Sequence, residues 1–362
     1  MRILPLALVP ASVAILAAAG SSVQPSTAAV RCMPPDKQLS TDVARERNAD
    51  GSSEVTEYLP SGEYRVTICD EAGDLEVSQT VSPIRTPDGG VALVPTETER
   101  PGIVVSALYG DPDEARWSAD YQASRSVVRA ATIPPTDPIE VQPRALIPST
   151  PAPETATADA AARGGLTARA AAAHDACTNP QFAVLGGIWK ARSYGYRINR
   201  KRFDFNDATV AQIVRGHTNW DATRNSCGLG DITRLRSHHL GSTSAVVHAD
   251  FADGVSVTDK GSMAGIDGCE IAIACTFQFP GPGDSVIETD QRFNSKYAYS
   301  NAGAAGRYDV QSISTHESGH SIGLDHANSS SELTMFFQTL AGTTYLRSLA
   351  KGDVRGLRKR YP

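Results

Sequence analysis

The stretch Thr315-His316-Glu317-Ser318-Gly319-His320-Ser321-Ile322-Gly323-Leu324-Asp325-His326 constrains this chain more than any other part of it. On a helix His316 and His320 stand at i and i+4, so both imidazoles leave one face and can meet one metal ion. Glu317 projects beside them. It is poorly aimed as a third ligand but well placed to touch a water on that ion. Gly323 can adopt positive φ and end the helix, which lets the chain turn back and present His326. Three imidazoles leave a tetrahedral Zn²⁺ with one open position, as a catalytic site requires, whereas a closed structural site would want a fourth protein ligand. The nearest candidate for that, Asp325, should point away from its neighbour His326. A bare pair of helix histidines arises by chance; Gly323 and His326 at fixed offsets lower that chance by about two orders of magnitude.

His316 to His326 matches the HExxHxxGxxH motif of the metzincin zinc endopeptidases. With Tyr308-Asp309-Val310-Gln311-Ser312 before it and Gly352-Asp353-Val354-Arg355-Gly356-Leu357 near the end, the chain resembles the matrixins, in particular matrixin-like proteases of actinobacteria. The resemblance covers roughly the second half of the chain, from near Cys177. It implies a twisted, mostly parallel sheet with helices, an active-site cleft and peptide-bond hydrolysis. It also implies one catalytic Zn²⁺ on His316, His320 and His326, with Glu317 as general base toward the zinc-bound water. Met335 matches the methionine turn beneath the zinc. Phe336-Phe337 follows it where matrixins usually have x-Pro, and Ala327 stands where they usually have Ser. His248-Ala249-Asp250, with Phe251 and Asp253-Gly254, resembles a fragment of a second, structural zinc site. No histidine between 248 and 316 completes it, so a second zinc is not expected. A Ca²⁺ site is left open, with no ligands assigned.

The remaining sequence sets the frame. With 362 residues, 41% of them hydrophobic, and six cysteines, the chain is neither a disulfide miniprotein nor a disordered segment. Its length suggests about two domains, and a net charge of -6 offers no basic face for nucleic acid. Arg2, the apolar run Ile3–Ala19 interrupted by Pro5 and Pro10, and the small residues Ser26-Thr27-Ala28-Ala29 read as a signal peptide over 1–29. The expected product is secreted, without a membrane segment after cleavage, and its thiols can oxidise. Residues 30–130 contain strand-like segments at Glu54–Leu59, Glu63–Cys69, Leu75–Ile84 and Gly90–Val94, which predict a small β-rich N-terminal domain or propeptide. Residues 131–175 are rich in Pro and Ala and read as a linker, with Arg144, Arg163 and Arg169 as sites open to nicking.

The section 176–362 reads as α+β. Strands are expected at Tyr194–Asn199, Ala245–Val247, Glu270–Phe279 and Val286–Phe293, and three helices: one capped by Asn206, one capped by Asp309 over Val310–Ile322, and a C-terminal one. His217 falls on an apolar helix face and reads as a core residue, and His238-His239 as solvent-facing. Pairing cysteines by section gives Cys177–Cys227, Cys269–Cys275 and Cys32–Cys69, one of several connectivities that six cysteines allow. Alternatively, Arg31-Cys32-Met33-Pro34-Pro35-Asp36 resembles the matrixin cysteine switch, with Met33 replacing the family's glycine. The functional expectation is a monomeric, secreted zinc endopeptidase acting on polypeptides. The alternatives are a binding or adhesion module on the same scaffold without significant turnover, and a zinc hydrolase of a non-peptide amide.

Overall fold

The computed structural model describes residues 43–47, 53–58, 63–70, 75–85, 91–100 and 102–110, then 176–362 apart from 204–205, 232, 267 and 328–330. The export segment, Cys32, the Pro/Ala-rich linker and His174 lie outside the described residues.

The N-terminal section contributes β1 (Val43–Arg47), β2 (Ser53–Tyr58), β3 (Tyr64–Cys69), β4 (Leu75–Arg85), β5 (Val91–Arg100) and β6 (Ile103–Leu108). The C-terminal section follows with β7 (Ser193–Ile198), helix α1 (Asp207–Asp221), β8 (Arg236–Ser242), β9 (Val257–Gly261), β10 (Ala274–Gly281), β11 (Ser285–Asn294), α2 (Val310–Ser321) and α3 (Lys351–Arg360). Among the described residues these strands form one sheet in the order β1-β2-β3-β4-β5-β6-β10-β11-β9-β7-β8. The first six form an antiparallel meander, and β6 then pairs antiparallel with β10. Within the C-terminal section β11, β9, β7 and β8 run parallel, and β10 is the antiparallel member. The architecture is therefore α+β with a mixed sheet. The N-terminal strands extend the C-terminal sheet instead of closing on a sheet of their own.

The differences from the sequence reading have local causes. Ala245–Val247 is not a strand; the Val247 amide donates to Asp259 Oδ2 at 3.1 Å in the approach to β9. Strand β8 reads Arg-Ser-His-His-Leu-Gly-Ser and is mostly exposed at the edge of the sheet, so it carries no alternation to detect. His238 and His239 lie on it, exposed. Strand β6 reads Ile-Val-Val-Ser-Ala-Leu and is buried at all six positions. A continuous run of this kind suits a strand covered on both faces. Leu108 joins the cluster beneath the sheet with Tyr194, Ile213, Trp220, Ile313 and Met335, while Ile103, Val105 and Ala107 join the opposite one with Cys275 and Phe277.

Helix α1 starts where Asn206 Oδ1 accepts the Thr209 amide at 3.0 Å, and it buries Ile213, His217 and Trp220. Helix α2 is buried along its whole length although nine of its twelve residues are polar. Its hydroxyls are satisfied locally: Ser314 Oγ donates to the Ile213 carbonyl at 2.9 Å and Ser318 Oγ to the Ser314 carbonyl at 2.6 Å. Disulfides join Cys177 to Cys227 and Cys269 to Cys275, and Cys69 is disulfide-bonded as well. No helix among the described residues is long and apolar enough to cross a membrane.

Candidate metal centre

Helix α2 is placed by its ends. Asp309 Oδ2 accepts the Ser312 amide at 2.9 Å and Arg347 Nε at 2.8 Å, fixing the first turn. At the other end the helix stops at Gly323, whose φ is +87°, a left-handed conformation that disfavours any residue with a Cβ. Leu324–Asp325 then pairs antiparallel with Ala183–Val184, and this short bridge returns His326 toward the helix.

The three histidines converge. Nε2 of His316 lies 3.0 Å from Nε2 of His320 and 3.2 Å from that of His326, and the last two are 3.1 Å apart. Nitrogens sharing a tetrahedral zinc at about 2.0–2.1 Å would be roughly 3.3 Å apart, so the spacing fits one ion. The donor set fits as well. His316 Nδ1 lies 2.7 Å from the Thr334 carbonyl and His320 Nδ1 lies 2.9 Å from the Leu324 carbonyl. A carbonyl only accepts, so both Nδ1 atoms carry the proton and both Nε2 lone pairs face the centre. Burial holds all three imidazoles in the neutral form a metal needs: His316 is pushed down to about 4, and His320 and His326 fall well below the ordinary histidine value. Among the described residues this is the one such cluster of potential ligands. Asp325 is outside it; its Oδ1 accepts the His326 amide at 2.6 Å.

Glu317 is fully buried beside this triad. Its Oε2 accepts a hydrogen bond from Thr276 Oγ1 of β10 at 2.6 Å, and Oε1 has no hydrogen-bond partner among the described residues. Burial pushes its carboxyl up to about 8, with the Thr276 bond acting in the opposite direction. Met335 lies beneath the histidine helix. A Cβ on Gly319 would sit 2.2 Å from Met335 Sδ and 2.8 Å from Trp220 Cζ2, so that position in α2 admits no side chain while Met335 stays in place. The loop bearing Met335 is anchored by buried Asp353, which accepts amides from Thr334 at 2.9 Å, Met335 at 3.2 Å and Ala350 at 2.7 Å. Asp353 thereby steadies the Thr334 carbonyl that orients His316.

Thr276, Thr334 and Asp353 carry no site role in the sequence reading. Asp353 sits in the quoted segment Gly352–Leu357, but its role as a triple acceptor depends on a loop brought to it by folding. Thr276 is hidden inside an apolar strand pattern. The other histidines are elsewhere. His217 is buried, its Nδ1 2.8 Å from Tyr194 Oη and its ring stacked on Tyr196, and burial pushes it down to about 3. His248 packs against the Phe251 ring, tilted by 34°, and its Nε2 lies 3.9 Å from Asp253 Oδ2.

The matrixin family model matches residues 188–362, which span β7 through α3 and include the whole histidine triad. No curated protein matches the chain. The family is one of zinc metallopeptidases with polypeptide substrates, and the triad is compatible with its zinc site. The C-terminal section, residues 188–362, belongs to the matrixin-like metzincins.

Proposed function

We propose that the chain is a secreted zinc metalloendopeptidase in which His316, His320 and His326 hold the ion and Glu317 is the general base. The observation that carries this is the convergence of three Nε2 atoms within 3.2 Å of one another beside a buried carboxylate with one oxygen uncommitted. Zinc, when bound, supplies a Lewis acid that acidifies water and polarises a carbonyl. The chain's own residues do the rest. The Thr334 and Leu324 carbonyls hold two imidazoles in the ligating tautomer. Thr276 fixes Glu317 Oε2, leaving Oε1 to take a proton from the attacking water and deliver it to the departing amine. An ion held by the three histidines would draw the Glu317 carboxyl back toward the ionised form that a base requires. Met335, seated against Gly319, and Asp353 keep the floor of the site rigid.

The charged, apolar and small-residue order of the N-terminus and the disulfides support export. In this reading 1–29 is the signal peptide, 30–130 the β-rich N-terminal section, 131–175 the linker and 176–362 the protease section. The test compares the zinc-loaded full chain with Glu317→Gln. Metal analysis should give equal zinc, while casein hydrolysis, however slow in the unmodified chain, should fall about 10²–10⁴-fold. A variant as active as the parent overturns the assignment of Glu317, and hydrolysis that survives a zinc chelator overturns the metallopeptidase reading.

A further inference from the structure

Three acidic side chains lie buried on the face of the sheet away from the metal centre. Along β11, Glu288, Asp290 and Arg292 alternate with Thr289, Gln291 and Phe293. Gln291 points toward the helices, where its Nε2 donates to Ser321 Oγ of α2 at 2.9 Å, so the charged row points the other way. Asp259 of β9 stands opposite Arg292 in the register and joins this row. Glu288, Asp290 and Asp259 are at most 1% exposed. Acidic groups are rarely buried so deeply unless something pairs with them. Here the partner is a loop. Residues 247–257 cross the row, with Asp250–Gly254 exposed at the tip.

Every carboxyl oxygen of the three takes a donor. Asp259 Oδ2 accepts the Val247 amide at 3.1 Å, and its two oxygens accept Arg292 Nε and Nη2, each at 2.8 Å. Arg292 Nη2 also donates to the Val247 carbonyl at 2.9 Å. Asp290 Oδ2 accepts the His248 amide at 2.9 Å and Oδ1 the Val257 amide at 2.8 Å, one from each end of the loop. Glu288 takes the tip: Oε1 accepts the Asp253 amide and Oε2 the Gly254 amide. Gly254 has a φ of +86°, which lets two successive amides turn to one carboxyl. This is the segment whose sequence resembles a fragment of a structural zinc site, and its residues do not fit one. His248 Nε2 has only the distant Asp253 Oδ2 at 3.9 Å, and Asp250 is exposed. Among the described residues His316, His320 and His326 alone bring three ligand atoms together, whereas a closed zinc site needs four. The oxygens beneath the loop face N–H groups, which occupy the side a cation would take.

We propose that Asp259, Asp290 and Glu288 stand in for a structural metal ion: they hold the loop 247–257 by its backbone amides, and the histidine triad is the chain's single metal site. The clamp is independent of the peptidase reading. The full-length chain is loaded with excess zinc and calcium, dialysed, and its metal content measured, beside the double variant His316→Ala/His320→Ala. Hydrogen exchange at the amides of residues 247, 248, 253, 254 and 257 is followed in the parent and in Glu288→Gln. It is also followed in the double variant before and after zinc or calcium is added.

The expected result is one zinc and no calcium retained by the parent, and neither by the double variant. Added zinc or calcium should leave exchange at the five amides of the double variant unchanged. Glu288→Gln offers one oxygen to two amides, so exchange at 253 and 254 should accelerate by about tenfold or more, with zinc still at one per chain. A second zinc or a calcium ion retained by the parent overturns the proposal, and that arm uses no substitution, so it decides even where a variant fails to fold. Exchange in the double variant that slows about tenfold on adding either ion overturns it as well. So does unchanged exchange at 253 and 254 in Glu288→Gln.

Discussion

Asp353→Ala should cost the protein both stability and zinc affinity, and the size of each loss follows from the contacts. The carboxylate is 1% exposed and accepts three amides, from Thr334, Met335 and Ala350, at 2.7 to 3.2 Å. Alanine leaves all three donors buried without partners, at about 1–3 kcal/mol each. Taking the lower half of that range gives a loss of roughly 3–6 kcal/mol, a large share of the 5–15 kcal/mol typical of a folded protein. Asp353→Asn is the gentler probe. Its amide oxygen can serve Thr334 and Ala350, but its NH₂ group meets the Met335 N–H donor to donor, costing about 2 kcal/mol. The second effect passes through the Thr334 carbonyl, which orients His316. Losing an outer partner of a metal ligand costs about 10–100-fold in affinity. Urea unfolding measures the first effect, and competition with a zinc chelator measures the second in Asp353→Asn. If stability falls but zinc affinity is unchanged, Asp353 supports the fold without positioning His316. If neither moves, the anchoring argument is wrong.

Gly319→Ala sets helix propensity against packing. Alanine gains about 1 kcal/mol in a helix interior, but its Cβ would sit 2.2 Å from Met335 Sδ, and overpacking costs about 1–3 kcal/mol. Calorimetry should show a lower Tm, partly restored in the double variant with Met335→Ala; a higher Tm would mean that Met335 yields freely. Asp290 gives a pH signature away from the metal. Burial pushes its carboxyl up to about 8 from an ordinary 3.8, against the amides of His248 and Val257 that hold it down. Between those values the folded state keeps a proton that the unfolded state releases, so this group's contribution is fully present below pH 4 and is lost as pH rises toward 8. Urea unfolding at pH 5 and pH 8 should show a larger loss in the parent than in Asp290→Asn, and equal losses would refute the raised value.

How much of this was legible follows from the range of each interaction. His316, Glu317, His320, Gly323 and His326 lie within one helix and one turn, so spacing alone brings them together, and the structure places three Nε2 atoms at one point. The capped starts at Asn206 and Asp309 were readable for the same reason. Helix α2 itself has no apolar face to find, because it is buried all round and satisfies its hydroxyls internally. Strand β8, exposed at the edge, offered neither alternation nor an apolar run. Thr276 and Asp353 act on partners far away in the chain, and residue type says nothing of such encounters. The signal for β6 was present in Ile-Val-Val-Ser-Ala-Leu between Pro101-Gly102 and Gly110. Its partner was not, since nothing local connects those residues to Ala274–Gly281.

That pairing joins the N-terminal strands to the strand that borders the metal centre. Residues 274–279 are at most 2% exposed, a burial shared between β11 on one side and β6 on the other. A bare sheet edge presents unpaired amides and carbonyls and invites pairing with another chain, which proteins normally prevent by covering it. β10 serves both the sheet and the site, because its edge holds β6 and its Thr276 holds Glu317. A substitution that tightens β6, such as a better-packed residue at Ser106, should therefore raise the resistance of β10 to hydrogen exchange. One that loosens β6 should lower it, and the edge it uncovers should become more prone to self-association.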